Sequence, residues 1–485
     1  MLKKILGVAL IAALGVTTAG CINTGKRQTK SASTTAPSTS STTGGTTSGT
    51  TGGTTSGTTT GTPALDLAGV TPSAPASAKI GPDVAALVVT LSASGTAPVD
   101  FADITISSKG SVDESKDLGE LKVYGDDNKN GVIDQGEPVL ATVAAPAFAT
   151  NDGKVTISLQ SPITIQPGAD LKLIVAVDAS AGNAAAGVAK IGKTVDLSVE
   201  AAGDVSLSYS GSPVTPGGTF PIASGPVTLF LNDHLLISEV VPDGFDGEYI
   251  EIFNPTAQAI DLVEYYLTEQ SDSSGTTAYY DLPTGGNFDS GNISDFIVRF
   301  PPGSKIDPGK ALTVAIDGGT FETTYGKPAD FCCRNPSGGS VQLLTHNGTA
   351  WVPTPVHAFA EIFDTGEPIV LFRWDGKTDL VQDVDYLFVG DPATTNTFNF
   401  QWDKSGIAID GPDQDTQPTQ FKPETPVAQQ GYAQVQSAPN NAVIRTDFTE
   451  GNQVKGNGNG ITGNDETSED AGVTFTSGAP TPGQP

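Results

Sequence analysis

The chain is poor in the residues that most often announce chemistry. Its 485 residues hold only three cysteines and three histidines. Three cysteines cannot build the disulfide framework of a small secreted scaffold. His234, His346 and His357 stand apart, none beside a cysteine, so no soft-metal ligand set is written locally. Neither Gly-x-Ser-x-Gly nor His-Glu-x-x-His occurs. No long segment repeats apolar residues at a 3.6-residue period, which excludes a helical bundle. The apolar run Ile5–Val16 is too short to span a bilayer as a stable helix. Basic residues are scarce too, 25 against 54 acids. Five of the basic residues and none of the acids precede residue 64, so residues 64–485 carry 20 against 54, a formal net charge of −34. That field repels nucleic acid and anionic surfaces and attracts cations. No nucleic-acid partner is expected.

Residues 1–63 speak to address. Lys3 and Lys4 precede the apolar run, and Thr18-Ala19-Gly20-Cys21 places a cysteine directly after small residues. The segment resembles a bacterial lipoprotein signal, with Thr18 where that family usually has a larger aliphatic residue. The resemblance implies removal of residues 1–20 and a lipid on Cys21, and Ile22 in place of Asp favours the outer membrane. An ordinary secretory signal would instead leave Cys21 free. Residues 21–63 are mostly Thr, Ser and Gly, with nothing to bury, and are expected to form a disordered stalk. Such a tether reaches on the order of 35 Å. Lys26, Arg27 and Lys30 lie where anionic headgroups would meet them.

From Ala64 to Asn232 short apolar–polar alternations dominate, punctuated by Gly and Pro. Strands are expected at Val84–Ser92, Asp103–Ser107, Glu120–Tyr124, Val139–Val143, Lys154–Leu159, Leu171–Val177, Thr194–Glu200, Asp204–Tyr209 and Val227–Leu231. Ala68–Gly81 and Ala179–Ala189 read as connections. The spacing is that of an antiparallel β-sandwich. Within it, residues 126–137 fit a twelve-position calcium loop. Asp126, Asn128 and Asn130 fill positions 1, 3 and 5, Gly131 the turn at 6, the Val132 carbonyl 7, Asp134 9 and Glu137 12. Hard oxygen ligands at alternate positions suit Ca²⁺ because the chain winds around one point. Strand-like flanks set the loop apart from an EF-hand; it resembles calcium-bearing hairpins of extracellular β-sandwich and repeat modules. A metal-free Asn/Asp/Gly turn would use the same residue types. A structural role for the ion is expected.

A second module begins at Asp233. Leu235–Val241, Glu248-Tyr249-Ile250-Glu251-Ile252-Phe253-Asn254-Pro255, Ile260-Asp261-Leu262, Tyr265-Tyr266-Leu267 and Phe300–Ala315 follow in order. The succession resembles the lamin-tail domain over residues 233–390. That resemblance implies an immunoglobulin-like β-sandwich and a non-catalytic module, of a kind that in bacteria often accompanies secreted hydrolases. Glu264-Tyr265 stand where the family commonly has Gly-Trp, and a polar insertion, Ser271–Asp295, is a candidate binding loop, with a solvated surface loop the reading preferred. Ile250 and Ile252 alternate with Tyr249, Glu251 and Phe253, as a strand with one buried face requires. The fold class expected for the whole is therefore all-β, two antiparallel sandwiches in series after a stalk.

Cys332 and Cys333 are adjacent, and neighbouring Cα atoms about 3.8 Å apart would strain a disulfide. A vicinal bridge, two free thiols and an intermolecular link all remain open. Gly187–Thr194 has P-loop spacing and Gly458–Gly463 dinucleotide-loop spacing, but neither opens a helix. Residues 391–485 form an acidic, Gly/Asn/Pro-rich extension, expected to wrap partly on the second sandwich and to end in a loose tail, Ser477–Pro485. Phe398–Trp402 is a candidate strand. The reading preferred is a calcium-stabilised lipoprotein anchored outward on the cell envelope, presenting a binding or structural surface to an envelope or extracellular ligand, without catalysis. The alternative is a secreted metal-dependent hydrolase of phosphodiester or glycosidic bonds. It requires Asp410, Asp413, Asp465 and Glu466 to converge in one pocket.

Overall fold

The computed structural model describes residues 61–69, 73–180, 187–242, 247–269, 278–285, 295–363, 366–390, 401–434 and 441–485. Cys21, the signal segment, the stalk up to residue 60 and Phe398–Phe400 lie outside them, as does most of the Ser271–Asp295 insertion. The architecture is all-β, built from two sheet pairs.

The first pair uses residues 66–230. One sheet runs Gly217–Gly218, Asp66–Gly69, Val84–Ser92, Asp170–Val177, Leu121–Gly125, Val139–Val143 from edge to edge. The facing sheet runs Ser212–Val214, Val205–Tyr209, Val99–Gly110, Thr194–Val199, Val227–Phe230, Ser77–Lys79. Strands form where alternation was expected, and Val84–Ser92 and Val139–Val143 match residue for residue. Asp66–Gly69 and Ser77–Lys79, within or beside a segment read as connection, are strands as well. Both make parallel pairings, to Gly217–Gly218 and to Thr228–Phe230, so the sandwich is not purely antiparallel. The cue was weak because edge strands of three or four residues bury too little to show a period.

The second pair holds Val341–Gln342, Phe331–Arg334, Ala311–Asp317, Tyr249–Phe253, Leu236–Val241, Ala442–Arg445, Phe475–Gly478 in one sheet. The other contains Trp351–Val352, Leu344–His346, Ile297–Arg299, Tyr265–Thr268, Glu367–Arg373, Gln382–Val389. Ala311–Asp317 and Phe331–Arg334 pair in parallel, which demands a crossover. The helix Gly318–Tyr325 supplies it. Asp317 caps its start by accepting from the Thr320 N–H at 3.0 Å, and Gly326 ends it at φ +69°.

That helix changes the burial of the sheet beneath it. Ile250 and Ile252 face the core between the sheets, as expected. Tyr249 and Phe253, on the other face, are buried too. Tyr249 packs under Phe321 and Tyr325 of the helix, ring centroids 5.4 Å away in each case. Phe253 meets Phe448 and joins Ile191 and Leu231 of the first sandwich in a shared cluster. The strand has two buried faces because helix, extension and first sandwich all cover its outer side. The Leu231 N–H donates to the Pro255 carbonyl at 2.9 Å, so backbone bonds also cross this junction.

Residues 441–485 are part of the second sandwich. Ala442–Arg445 pairs with Leu236–Val241, and Phe475–Gly478 extends the sheet. The tail expected to hang loose is fastened: the Thr481 N–H donates to Glu239 at 2.9 Å, the Gly483 N–H donates to Glu251, and Lys327 reaches the Pro482 carbonyl. From the insertion, Tyr279–Thr284 forms a 3₁₀ turn whose Tyr279 is buried against Phe372 and Trp402, where a solvated loop was expected.

Candidate functional site

Residues 126–137 join the adjacent antiparallel strands Leu121–Gly125 and Val139–Val143, so the loop is hairpin-borne. The buried Asp126 anchors it: Oδ1 accepts from the Asn130 N–H at 3.0 Å and Oδ2 from the Gly131 N–H at 2.8 Å. Gly131 takes φ +79°, the left-handed turn that this winding needs. Asn128 Oδ1 accepts from the Asn130 N–H and Asn130 Oδ1 from the Val132 N–H, a run of Asx turns. The side chains of positions 3, 5 and 9 then meet: Asn128 Nδ2 and Asn130 Nδ2 lie 2.6 and 2.7 Å from Asp134 Oδ2. Glu137 Oε2 accepts from the Asp134 N–H at 3.1 Å, while its Oε1 is shielded from solvent and has no hydrogen-bond partner. The Val132 side chain is exposed. One cation already borders the loop. Lys172 Nζ, buried, lies 3.4 Å from Asp126 Oδ2 and donates to the Lys129 carbonyl at 2.9 Å.

The second sandwich buries charges that the pattern of the sequence did not reveal. Arg445, fully buried, donates to Asp385 at 2.7 Å, to both oxygens of Glu469 at 2.7 and 3.1 Å, and to the Ile237 carbonyl at 2.8 Å. His234 sits between Asp233, 3.0 Å away, and Glu450, 3.2 Å away. Burial alone would lower the His234 pKa, but hydrogen bonds to both carboxylates outweigh it and raise it to about 10. For Glu450 burial pushes upward, and the His234 hydrogen bond wins and brings it to about 2. Lys404 is likewise enclosed, 2.6 Å from Asp383, 2.7 Å from Glu424 and 2.9 Å from the Tyr279 hydroxyl. Of the three histidines, His234 is packed as an ion pair.

The remaining sites disperse. Cys332 and Cys333 are both free and buried. They are consecutive residues of one strand, so their side chains point to opposite faces: Cys332 joins the cluster under the helix, Cys333 the core between the sheets. Of the three alternatives, the structure takes two separated free thiols and not the vicinal bridge. Asp410 and Asp413 are exposed, and Asp413 lines a cleft of about 900 Å³ with Gly458–Gly463. Asp465 turns inward to Thr467 and Thr425, and Glu466 is buried against Gln453. The four acids do not line that cleft together. Lys190, of the P-loop-like stretch, is buried and donates to the carbonyls of Asp117 and Ala179, and a strand starts at Thr194.

Residues 231–354 match the family model described as Lamin Tail Domain. The chain thus carries an immunoglobulin-like lamin-tail sandwich, whose sheets are completed beyond the matched stretch by Glu367–Arg373, Gln382–Val389, Ala442–Arg445 and Phe475–Gly478. No curated protein matches the chain. Among solved structures it is similar to a DUF4876 family protein from Bacteroides thetaiotaomicron, at 13% identity and a TM-score of 0.30, over 75% of this chain and 92% of that one. It also shares 9% identity with red sea bream transglutaminase, at a TM-score of 0.16, over 68% of this chain and 31% of that one.

Proposed function

We propose that the protein is a cell-envelope lipoprotein, held by a lipid on Cys21, that presents a calcium-braced structural or binding module at the end of its stalk. The observation that carries the reading is the Asp126–Glu137 loop. Its oxygen-bearing side chains gather around Asp134, and Glu137 keeps one shielded oxygen without a partner. Turning each of the two asparagine amides about its last bond would present oxygen where nitrogen now lies. An ion there would tie the hairpin tip to the sheet through Asp126. Presentation is favoured over catalysis by the fold, in which the exposed acids are spread over turns. Affinity for an envelope or extracellular ligand would come from loop surfaces displayed at high local density on a membrane.

Calorimetric titration of the full chain with calcium, alongside melting of wild type and Glu137→Gln, tests the brace. Binding with a rise in melting temperature, lost in the variant, is expected; equal behaviour of the two proteins would refute the assignment. Expression of wild type and Cys21→Ser in a bacterial host, followed by membrane fractionation, tests the anchor. Wild type is expected with the membranes and the variant free of them; a variant that stays membrane-bound would overturn the anchor.

A further inference from the structure

The cleft of about 900 Å³ opens at the turn that joins Glu367–Arg373 to Gln382–Val389, and residues 458–463 form another of its walls. Its size is that of a small-ligand site. Both walls are held by the chain's own bonds. The Gly460 N–H donates to the Asn464 carbonyl at 2.9 Å and the Ile461 N–H to the Asp383 carbonyl at 2.7 Å. Asn459 accepts from the Lys422 N–H at 2.8 Å and donates to the Lys422 carbonyl at 3.0 Å. A Cβ at position 458 would lie 2.0 Å from the Asn464 carbonyl oxygen, and one at 460 would lie 2.1 Å from Glu466 Oε1. The glycines of the dinucleotide-like spacing therefore serve close packing of this wall.

The lining combines one aromatic ring with polar groups. Trp374 packs on the buried cluster that contains Tyr266 and Phe372 and remains partly exposed. Its indole N–H donates to the Thr378 carbonyl at 2.8 Å, which fixes the ring. Lys377, Gln382 and Lys422 also line the cleft and are exposed. Thr462 adds a hydroxyl oxygen that is shielded from solvent and has no hydrogen-bond partner. Charge in the lining is balanced, although residues 64–485 carry a large negative excess. Arg373, Lys377 and Lys422 stand with Asp375, Asp379 and Asp413. Three of these six are committed elsewhere: Arg373 to Glu264 at 3.0 Å, Asp375 to the Thr378 N–H at 2.9 Å, and Asp379 to the Gly411 N–H at 3.0 Å. An ionic ligand would find no net charge to draw it in.

We propose that this cleft binds a neutral oligosaccharide, with Trp374 against one sugar ring and Gln382, Lys377 and Lys422 hydrogen-bonded to hydroxyls. A sugar ring has a C–H face, which the electron-rich face of an indole attracts, and a rim of hydroxyls that both donate and accept. A fixed tryptophan beside amide and ammonium groups matches that division. The assignment gives the presented module its ligand class, and it rests on the reading of the chain as a binding module.

The test is saturation-transfer NMR of the full chain with cellotetraose, mannotetraose, N-acetylchitotetraose and, as a charged control, oligogalacturonate. At least one neutral probe should bind at millimolar concentration, and Trp374→Ala should weaken that binding about tenfold or more. Because Trp374 also packs on the core, Gln382→Ala provides a second reading at an exposed side chain. Loss of its hydrogen bond should weaken binding about 2–10-fold with the melting temperature unchanged. Absence of binding by every neutral probe, binding of oligogalacturonate alone, or binding unaltered in both variants would overturn the proposal. Such a result, with Cys21→Ser still released from membranes, would strike the cleft and leave the anchored-module reading standing.

Discussion

Arg445→Met should destabilise the lamin-tail sandwich severely and in a pH-dependent way. Arg445 lies 208 residues from the Ile237 carbonyl that it holds, and it neutralises Asp385 and Glu469 where none of the three meets water. Methionine fills much of the volume but strands two buried carboxylates, which costs about 3–5 kcal/mol. For a cooperative unit of this size that corresponds to a fall in melting temperature of roughly 6–20 °C. The deficit has a sign with pH. Burial holds Glu469 up at about 7 even beside Arg445, and Asp385 is raised as well, again by burial. Without the arginine both shift higher. Groups with raised folded-state values contribute stability that is present below their unfolded values and is lost as pH rises through the folded ones. The variant should therefore lie closest to wild type near pH 5 and furthest from it near pH 8. Chemical denaturation across that range is the assay, with Arg445→Met/Glu469→Gln as partial rescue. A deficit below about 1 kcal/mol, or one independent of pH, would show that the extension is not bound through this network.

Lys172→Met should tighten calcium binding at the Asp126–Glu137 loop, because a buried ammonium 3.4 Å from Asp126 competes with the ion; a titration showing weaker binding would refute that competition. Deleting residues 479–485 removes two backbone donors from buried carboxylates and should cost about 2–3 kcal/mol. Burial raises Glu251 to about 7, so uncovering it should also flatten the dependence of stability on pH between 5 and 8. Cys332 and Cys333, whose thiols burial pushes upward, should resist thiol reagents in the folded chain and both react after unfolding, with no mass change on reduction. His234→Ala should leave the buried Glu450 without its ion-pair partner and lower stability by about 3–5 kcal/mol at neutral pH, read from denaturant midpoints.

Local order was legible wherever one residue type repeats at one spacing. Val84–Ser92 and Val139–Val143 could be read as strands because period-2 alternation needs nothing beyond the chain itself. The winding of the Asp126–Glu137 loop was legible for the same reason: its Asx turns, its Gly131 turn and its strand flanks are all local. The lamin-tail sandwich was visible through a run of such strands. The second buried face of Tyr249–Phe253 was not. Tyr249 and Phe253 on the supposedly solvated side were a cue, yet what covers them comes from residues 318–325, 191 and 448. A bulge at Ser238 hid more. It shifts the pairing register so that Ile237 and Val240 both face the core and Glu239 falls under the tail.

Charge shows the division most plainly. Composition alone sets the large negative excess of residues 64–485. Which of the acids find a cation depends on the closed fold. Arg445 finds Asp385 and Glu469, and His234 finds Glu450, because the extension inserts a strand beside Leu236–Val241. The physical reason is range. Alternation and turn chemistry act over a few residues, whereas the cost of burying a charge depends on partners up to 242 residues away, brought within hydrogen-bond distance only when both sheets close.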